Sequence, residues 1–551
     1  MPERVETNVS PTLSAKALGS SCPPRTVIPP PSTVSLLSFS FPPRKFIILG
    51  LSVVGIAGIY VLVKKGKLTL PRTSTLRSWK FPNFDLRQYL PHLRLQPTLS
   101  ASEKSNSLHF GQLKFGYQDV FDVESAITGF GSQDWEQTHA PATQTAVAIG
   151  RILQSGAACT GKQTMDEFGL SMFGRNKRDG IAENPVVPKY FAGGAASGSG
   201  VAVASNTCDF ALALDTIGGV RNPASFCGIF GYRASHEAIS TVGVTPVSPS
   251  LDAVGVLSRD VHVLHQVVKL LLQQPDLERG LPSSVLVADD CFSQSSISTV
   301  RTADLIARAV SETLGRSLVH HVNLGALIAS SVPTLRNFLM EEERLLKQDT
   351  SRYTTFDGLR DAMLLILRGE FRDKHRKWFK DVDPELSSDV DVRVKFAMAP
   401  YIDGLHKMAL KIKEETRAAM NEILLMDSLL VMPSTPSLPP LKEAKGKELE
   451  IFESRALSML SLASMSGCCQ VTVPLGSARG IPISVSVLAR HGGDMFLLES
   501  LMELNARIQM EVDVLRQIKP SVKDNHIIAR NSVLQEISPD LKTGKRRRPT
   551  T

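Results

Sequence analysis

A run of glycines and hydroxyls, from Gly193 to Tyr232, is the part of the chain best equipped for chemistry: GGAASGSGVAVASNTCDFALALDTIGGVRNPASFCGIFGY. The pattern predicts a Gly/Ser loop that opens a helix, then a strand, then a second glycine turn carrying Arg221 and Pro223. Backbone N–H groups at the start of a helix are exposed donors, which suggests anion binding. No Lys-Ser or Lys-Thr follows the glycines, so the segment is not a P-loop and the phosphate interpretation is weak.

Strands and helices that alternate along the chain must position this segment. Ala146, Ile149 and Leu153 mark one face of a helix, which leads into a short strand over 157–161. A helix at 201–204 leads into a strand over 210–214. A longer helix near 402–426 precedes a strand over 428–432 that Pro433 closes. This alternation predicts an α/β domain with a mainly parallel or mixed sheet.

The glycine segment resembles the signature region of the amidase signature family, whose members are Ser/Ser/Lys hydrolases that cleave amide bonds. The resemblance runs from about Gly111 to about Asn505. It includes Phe121-Asp122-Val123, Thr128-Gly129-Phe130-Gly131, Gly161-Lys162, Pro433-Ser434-Thr435-Pro436 and Gly467-Cys468-Cys469-Gln470. It implies one large α/β domain with a mixed central sheet flanked by helices, and no metal or other cofactor.

In that family a serine is the nucleophile, a second serine relays the proton and a lysine is the base. Matched residue by residue, this chain has Gly219 at the nucleophile position, Ala195 at the relay position and Gln118 at the lysine position. The resemblance leaves only the oxyanion-hole backbone at Ile217, Gly218 and Gly219. A serine hydrolase without its catalytic set keeps a rate only ~10³–10⁴ above water, so we expect a catalytically degenerate protein.

Neighbouring groups offer replacements for the lost nucleophile or base. They are Ser197, Ser199, Thr216, Ser225 and Lys162. A nucleophile must lie within hydrogen-bond reach of its base, and each of these groups is expected to cap a turn or hold backbone instead. Asp215 and Arg221 are expected to form a structural pair that holds the glycine turn.

Charge and cysteine content exclude several classes of function. The net charge is +8, but residues 111–540 carry 43 basic and 50 acidic side chains, so this body is mildly acidic and a nucleic-acid-binding face is not expected there. The seven cysteines are scattered, which favours a reducing compartment over a zinc cage or a disulfide framework. Cys469 is expected to be a buried residue at the start of a strand. The charged stretch 372–377 is expected to be a solvated helix face.

The N-terminal part of the chain carries a candidate membrane anchor. Residues 1–45 are rich in Ser, Thr and Pro, which predicts a disordered arm. Residues 46–63 are eighteen residues without a charge, which predicts a transmembrane helix. Residues 64–107 are expected to be a tether, 108–515 the amidase-like domain and 516–551 a basic tail. The basic residues that follow the anchor place the globular body on the cytosolic side.

An anchor followed by an amidase-like body without a nucleophile is similar to a group within the family that takes part in protein import at plant organelle outer membranes. This resemblance implies a non-catalytic component or receptor of organelle import. Its implied partners are the outer membrane, import translocon subunits and precursor proteins. The plastid outer envelope is the expected location, with the mitochondrial outer membrane as the alternative.

The chain departs from that group after Leu541, where ten residues leave no room for a tetratricopeptide domain, so chaperone docking is not expected. Two other functions stay open. One is a membrane-anchored amidase that hydrolyses a small amide with a displaced nucleophile. The other is a binder that retains small amides or acids in the old pocket.

Overall fold

The structure is a computed structural model that describes residues 110–273, 280–295, 299–347 and 350–517. The predicted arm (1–45), anchor (46–63), tether (64–107) and nearly all of the basic tail (516–551) lie outside the described residues. Within the described ranges, no helix combines the length and apolar character needed to cross a membrane.

A mixed sheet runs through the described part of the chain and forms its centre. Its ten strands are β1 (Lys114–Gln118), β2 (Ala158–Gln163), β5 (Phe210–Asp215), β6 (Phe230–Arg233), β7 (Ala253–Ser258), β8 (Ser284–Ala288), β9 (Val319–Val322), β10 (Ser428–Pro433), β11 (Cys469–Ala478) and β12 (Ile481–Ala489). They lie in the order β2-β1-β5-β7-β6-β11-β12-β10-β8-β9. The short strands β3 (Arg175–Asn176) and β4 (Gly180–Ile181) form a separate antiparallel pair.

Helices flank this sheet. They are α1 (Gln133–Thr138), α2 (Val147–Gln154), α3 (Ser197–Ala204), α4 (Arg221–Cys227), α5 (Val261–Leu272), α6 (Asp289–Gln294), α7 (Thr299–Leu314), α8 (Leu324–Ser331), α9 (Pro333–Leu346), α10 (Thr355–Val382), α11 (Ser388–Met398), α12 (Asp403–Ile423), α13 (Lys447–Ser466) and α14 (Asp494–Gln517). Strands β5, β7 and β10 are buried along their whole length because helices or other elements cover both of their faces.

The sheet confirms the predicted α/β class. Parallel pairs join β1 to β2 and β5, and β8 to β9 and β10, while β7, β6, β11 and β12 pair antiparallel. The predicted strands at 157–161, 210–214 and 428–432 correspond to β2, β5 and β10, each within about two residues of its observed bounds. The predicted helix near 402–426 corresponds to α12.

Strands β1 and β5 position the glycine segment at their carboxyl ends. Strands β1 and β5 are adjacent and parallel, with Tyr117 opposite Leu212. Their carboxyl ends therefore meet, and Gln118 at the end of β1 lies beside the residues that lead into the glycine turn after Asp215. The loop before α3 and the turn before α4 lie at the same end of these strands.

One prediction about the helix surface needs a correction. Stretch 372–377 lies in α10, and most of it is solvated as expected, but His375 is only 4% exposed. Its ring packs on Phe371 and Phe130, and its Nε2 lies 2.8 Å from the Pro246 carbonyl oxygen. Aromatic neighbours from other parts of the chain draw this imidazole into the core, which a helical charge pattern does not reveal. Cys469 opens β11 and is fully buried, as predicted.

Candidate functional site

The three positions matched to the catalytic residues line one small cavity at the carboxyl ends of β1 and β5. Gln118, Ala195 and Gly219 share its wall with Ile217 and Gly218. The volume of this cavity is about 20 Å³, which leaves space for roughly one water molecule. Pockets that hold small-molecule ligands are typically ~300–1,000 Å³. A small amide therefore does not fit within this cavity alone.

The amide of Gln118 is used to join two strands. Its Oε1 accepts a hydrogen bond from the backbone N–H of Leu214 at 2.8 Å, and its Nε2 lies 3.7 Å from the sulfur of Met165. The side chain is 1% exposed. A carboxamide nitrogen has no lone pair that accepts a proton at neutral pH, so this residue cannot act as the base that a lysine provides.

The glycine turn is shaped for residues without side chains. A Cβ placed on Gly219 would lie 2.5 Å from the carbonyl oxygen of Leu214 and 3.5 Å from the Cβ of Ala195. Gly218 has φ of +119°, and a Cβ there would lie 2.6 Å from a methyl carbon of Leu460. A serine at position 219 therefore requires a shift of the backbone.

The backbone donors of the turn are only partly available. Gly218 donates its N–H to Oδ1 of Asp215 at 3.1 Å. The N–H groups of Ile217 and Gly219 have no hydrogen-bond partner among the described residues. Two of the three donors at the predicted oxyanion hole are thus unpaired, beside a cavity that holds about one water molecule.

Asp215 and Arg221 lie in direct contact beneath the turn. Arg221 Nη2 is 2.9 Å from Asp215 Oδ1, and the other carboxylate oxygen accepts the backbone N–H groups of Val220 and Arg221. Arg233 adds a second guanidinium, with Nη1 at 2.8 Å from the same Oδ1. Burial would raise the pKa of the Asp215 carboxyl, but these two guanidinium groups outweigh it and hold that pKa well below the usual range.

Arg233 is a site residue that sequence reasoning missed. It ends β6, and all four residues of that strand are buried. Burial lowers its pKa to about 10 while Asp215 opposes that shift. The sequence does contain a sign of this site. Arg233 follows Ile229-Phe230-Gly231-Tyr232, an apolar run that predicts a buried strand. A charge in such a strand requires an acidic partner.

The hydroxyl of Thr216 contacts a buried carboxylate beside the cavity. Its Oγ1 donates to Asp252 Oδ1 at 2.6 Å, and Thr216 lines the cavity wall. Burial raises the pKa of the Asp252 carboxyl to about 6, although hydrogen bonds from Thr216 and from backbone N–H groups oppose the shift. Sequence reasoning included Thr216 but missed Asp252, which is 36 residues away along the chain.

The other proposed replacements are placed differently. Lys162 forms an ion pair with Asp119 at 2.9 Å, and it does not line the cavity. The Ser225 hydroxyl lies 2.7 Å from that of Ser484. The Ser199 hydroxyl is buried and has no hydrogen-bond partner among the described residues, while Ser197 opens α3. In the ranges that the structure describes, no group of three or more His, Cys, Asp or Glu residues is arranged to hold a metal ion.

Comparisons with known proteins show what the chain is similar to. A family model described as Amidase matches residues 114–498. The translocon at the outer membrane of chloroplasts 64 of Pisum sativum is 37% identical over 86% of this chain and 77% of its own. The mitochondrial outer envelope protein 64 of Arabidopsis thaliana is 36% identical over 92% of this chain and 81% of its own. Amidase 1 of Arabidopsis thaliana is 38% identical over 77% of this chain and 99% of its own.

Solved structures share the fold. A crystal structure of an amidase superimposes with a TM-score of 0.60 at 23% identity, covering 76% of this chain and 92% of that one. A 6-aminohexanoate cyclic dimer hydrolase in complex with its substrate gives a TM-score of 0.58 at 17% identity, covering 73% of this chain and 88% of that one. These likenesses show the architecture alone.

Proposed function

The chain belongs to the amidase family, and we propose that within this family it is a non-catalytic, membrane-anchored component or receptor of protein import at an organelle outer membrane. The plastid outer envelope is the proposed location, and the mitochondrial outer membrane is the alternative. The globular body would face the cytosol and bind import translocon subunits or precursor proteins.

One observation carries the non-catalytic part of this proposal. At the site where the family's lysine and two serines would meet, Gln118, Ala195 and Gly219 surround a cavity of about 20 Å³. The site lacks these hydrolytic side chains, and the cavity itself has space for roughly one water molecule, which supports a non-catalytic role.

Similarity to outer-membrane proteins supports the proposed anchor and the proposed import role. Proteins named for the chloroplast and mitochondrial outer membranes match 86–92% of the chain, more than the amidase match at 114–498 covers. The mitochondrial protein matches 92% of the 551 residues, so fewer than 63 residues lie outside the match. Even if all of these residues were at the N-terminus, the match would begin before Val63. The likeness to the mitochondrial protein thus begins before the end of the apolar segment at 46–63, which supports a shared anchor.

Isolated plastids and mitochondria test this proposal. The full chain should insert into one of the two outer membranes, resist extraction by carbonate, and lose its body to externally added protease. Deletion of residues 46–63 should release it into the soluble fraction. Crosslinking on the organelle surface should then recover import translocon subunits or a precursor in transit. A chain that resists protease in intact organelles, or that crosslinks to none of these proteins, would refute the proposal.

Amide hydrolysis with a displaced nucleophile is the second candidate. It is favoured by the 2.6 Å contact between Thr216 and Asp252, because a hydroxyl beside a carboxyl with a pKa near 6 resembles a nucleophile and its base. The 38% identity to Amidase 1 is consistent with it. This reaction would require the cavity to open, since its present volume excludes a substrate.

A panel of simple amides separates the two candidates. Under the first proposal, the full chain gives no hydrolysis above buffer and no covalent labelling by a fluorophosphonate. Under the second, it hydrolyses an amide, and Thr216→Val abolishes that activity. Thr241→Val, at an exposed threonine, should leave any activity unchanged and is the matched control.

A further inference from the structure

A second and much larger cavity opens beside the closed site. It is a groove of about 950 Å³ between helices α10, α11 and α13. Its inner end shares Leu170, Ile217, Leu457 and the Arg393-paired Glu453 with the small cavity. This volume lies in the range of ~300–1,000 Å³ that suits a small molecule.

Contacts between the helices define the two ends of the groove. Ser458 on α13 donates to Asp357 on α10 at 2.7 Å, and Arg360 on α10 donates to Ser454 on α13 at 2.6 Å. Residue numbers rise on one helix as they fall on the other, so the two helices run antiparallel. Arg368, two turns after Arg360, therefore lies level with the beginning of α13 near Lys445. We call this end, marked by Arg368 and Lys445, the mouth.

The mouth carries positive charge that the protein does not neutralise. Arg368 donates to the Pro400 carbonyl oxygen and lies over the Phe396 ring, with its Cζ 4.5 Å from the ring centroid. Its Nε is buried without an acceptor, and among the described residues it has no carboxylate within ion-pair distance. Burial, together with the nearby Arg372, lowers its pKa. Lys445 is exposed, and in the described ranges it too has no acidic partner.

The other charges of the groove are mostly paired within the protein. Arg393 forms an ion pair with Glu453, and Arg360 with Asp357 and Asp361. Asp389 accepts a hydrogen bond from the Ser171 hydroxyl at 3.0 Å. Glu450 lines the groove near its mouth, and Glu443 and Glu448 are exposed close to Lys445 in sequence. Among the described residues none of these acids forms an ion pair with Arg368 or Lys445, so both cations remain available to an anionic ligand.

The rest of the groove is lined mainly by apolar side chains. Its walls include Phe173, Leu364, Leu367, Val392 and Leu449. Val392 is 66% exposed and Phe396 is 53% exposed, so α11 presents apolar groups that the protein itself leaves uncovered. From Gly446 to Leu457 the rise of α13 gives a length of about 16 Å. An unbranched apolar chain of about twelve carbons would span this distance.

We propose that this groove binds a small amphipathic anion, a medium-chain carboxylate, with its head at Arg368 and Lys445 and its tail directed toward Leu457. The cations at the mouth supply donors for carboxylate oxygens, and the apolar walls remove the tail from water. This binding goes beyond the import role and does not depend on it.

Photoaffinity labelling of the full chain in lipid nanodiscs tests the proposal. The probe is dodecanoic acid with a diazirine next to its methyl end, and the matched neutral probe is the corresponding alcohol. After illumination, mass spectrometry should find saturable labelling on peptides that contain Leu170, Ile217 or Leu457. The alcohol should label these peptides at least tenfold less, because it lacks the charge that the mouth recognises.

Variants of the groove sharpen the test. Arg368→Met and Lys445→Met should each reduce labelling by about tenfold. Lys447→Met is the matched control, since it removes a neighbouring exposed charge that does not line the groove, and it should keep labelling within about twofold of the unmodified chain. Val392→Trp should narrow the groove and reduce labelling, and the exposure of Val392 protects the core from this change.

Three results would overturn the proposal. They are the absence of saturable labelling on these peptides, equal labelling by acid and alcohol, and labelling of Lys445→Met that stays within about twofold of the unmodified chain. Since Lys445 is on the surface, its variant gives a valid result even if Arg368→Met fails to fold. None of these results bears on the location or import partners of the chain.

Discussion

Replacing Gly219 by serine tests whether the glycine turn has lost the room for a nucleophile. The new Cβ would lie 2.5 Å from the carbonyl oxygen of Leu214, whereas ordinary contacts of a Cβ begin near 3.4 Å. Either the carbonyl or the turn must move by almost 1 Å. The turn resists this movement because three of its backbone N–H groups are hydrogen-bonded to the buried carboxylate of Asp215.

The expected cost is that of an overpacked core, about 1–3 kcal/mol. With an unfolding entropy of about 2.1 cal/mol/K per residue over roughly 400 described residues, Gly219→Ser should lower Tm by about 1–4 °C. Gly150→Ser in α2 is the matched control, since a Cβ at Gly150 meets no atom within 4 Å, and its Tm should not fall. Calorimetry of the two variants beside the unmodified chain measures the difference.

Activity provides the second measurement. Gly219→Ser should remain silent toward amides and toward a fluorophosphonate, because the Gln118 carboxamide cannot act as its base. The triple variant Gln118→Lys, Ala195→Ser and Gly219→Ser should lose more stability, since lysine cannot accept the N–H of Leu214, and should also remain inactive. An unchanged Tm for Gly219→Ser, or turnover by the triple variant, would show that the turn reshapes readily and refute this reasoning.

Three further substitutions have defined outcomes. Burial lowers the pKa of His375 to about 4, so its contribution to stability is complete above about pH 6.5 and falls by about 2 kcal/mol at pH 5. Urea titrations at pH 7.5 and pH 5 measure this loss of stability. His375→Phe should remove it, while His262→Gln, at an exposed histidine, should keep it. An equal loss of stability between the two pH values in both variants would contradict the assignment. Arg233→Met should cost about 3–5 kcal/mol by leaving Asp215 with one guanidinium, and a thermal melt showing less than 1 kcal/mol would exclude a structural ion cluster. Gln118→Met should cost about 1–3 kcal/mol because a buried backbone N–H loses its acceptor, and unchanged stability would mean that this bond contributes nothing.

Local patterns allowed much of the fold to be predicted. The apolar run from Phe210 to Leu214, followed by a glycine turn, predicts a strand whose end must turn sharply, and β5 with its turn has this form. The parallel pairing of β1 with β5 is what brings Gln118 beside that turn. Residue types at single positions indicated the loss of the family's lysine and serines, because each position could be matched within a short motif.

Contacts between distant residues could not be predicted in this way. Arg233 on β6 meets Asp215 at the end of β5 although β7 lies between these two strands in the sheet. Thr216 meets Asp252, which is 36 residues away along the chain. His375 is buried because aromatic residues from separate segments surround it, although its neighbours in sequence are charged. The closure of the cavity has the same origin, since its volume depends on how a loop, a turn and a helix from distant parts of the chain pack together.

The two cavities differ in the room that they offer to a ligand. A hydrolase must keep a reactive, solvent-accessible centre, and strained or unpaired groups in such a centre reduce stability. Here the Gln118 carboxamide accepts a backbone N–H and the turn lines a cavity of about 20 Å³, so this region packs like part of the core. The groove next to it remains open at about 950 Å³ and keeps unneutralised cations at its mouth. Because packing alone would have favoured filling that groove as well, its persistence favours a binding role for this face of the molecule.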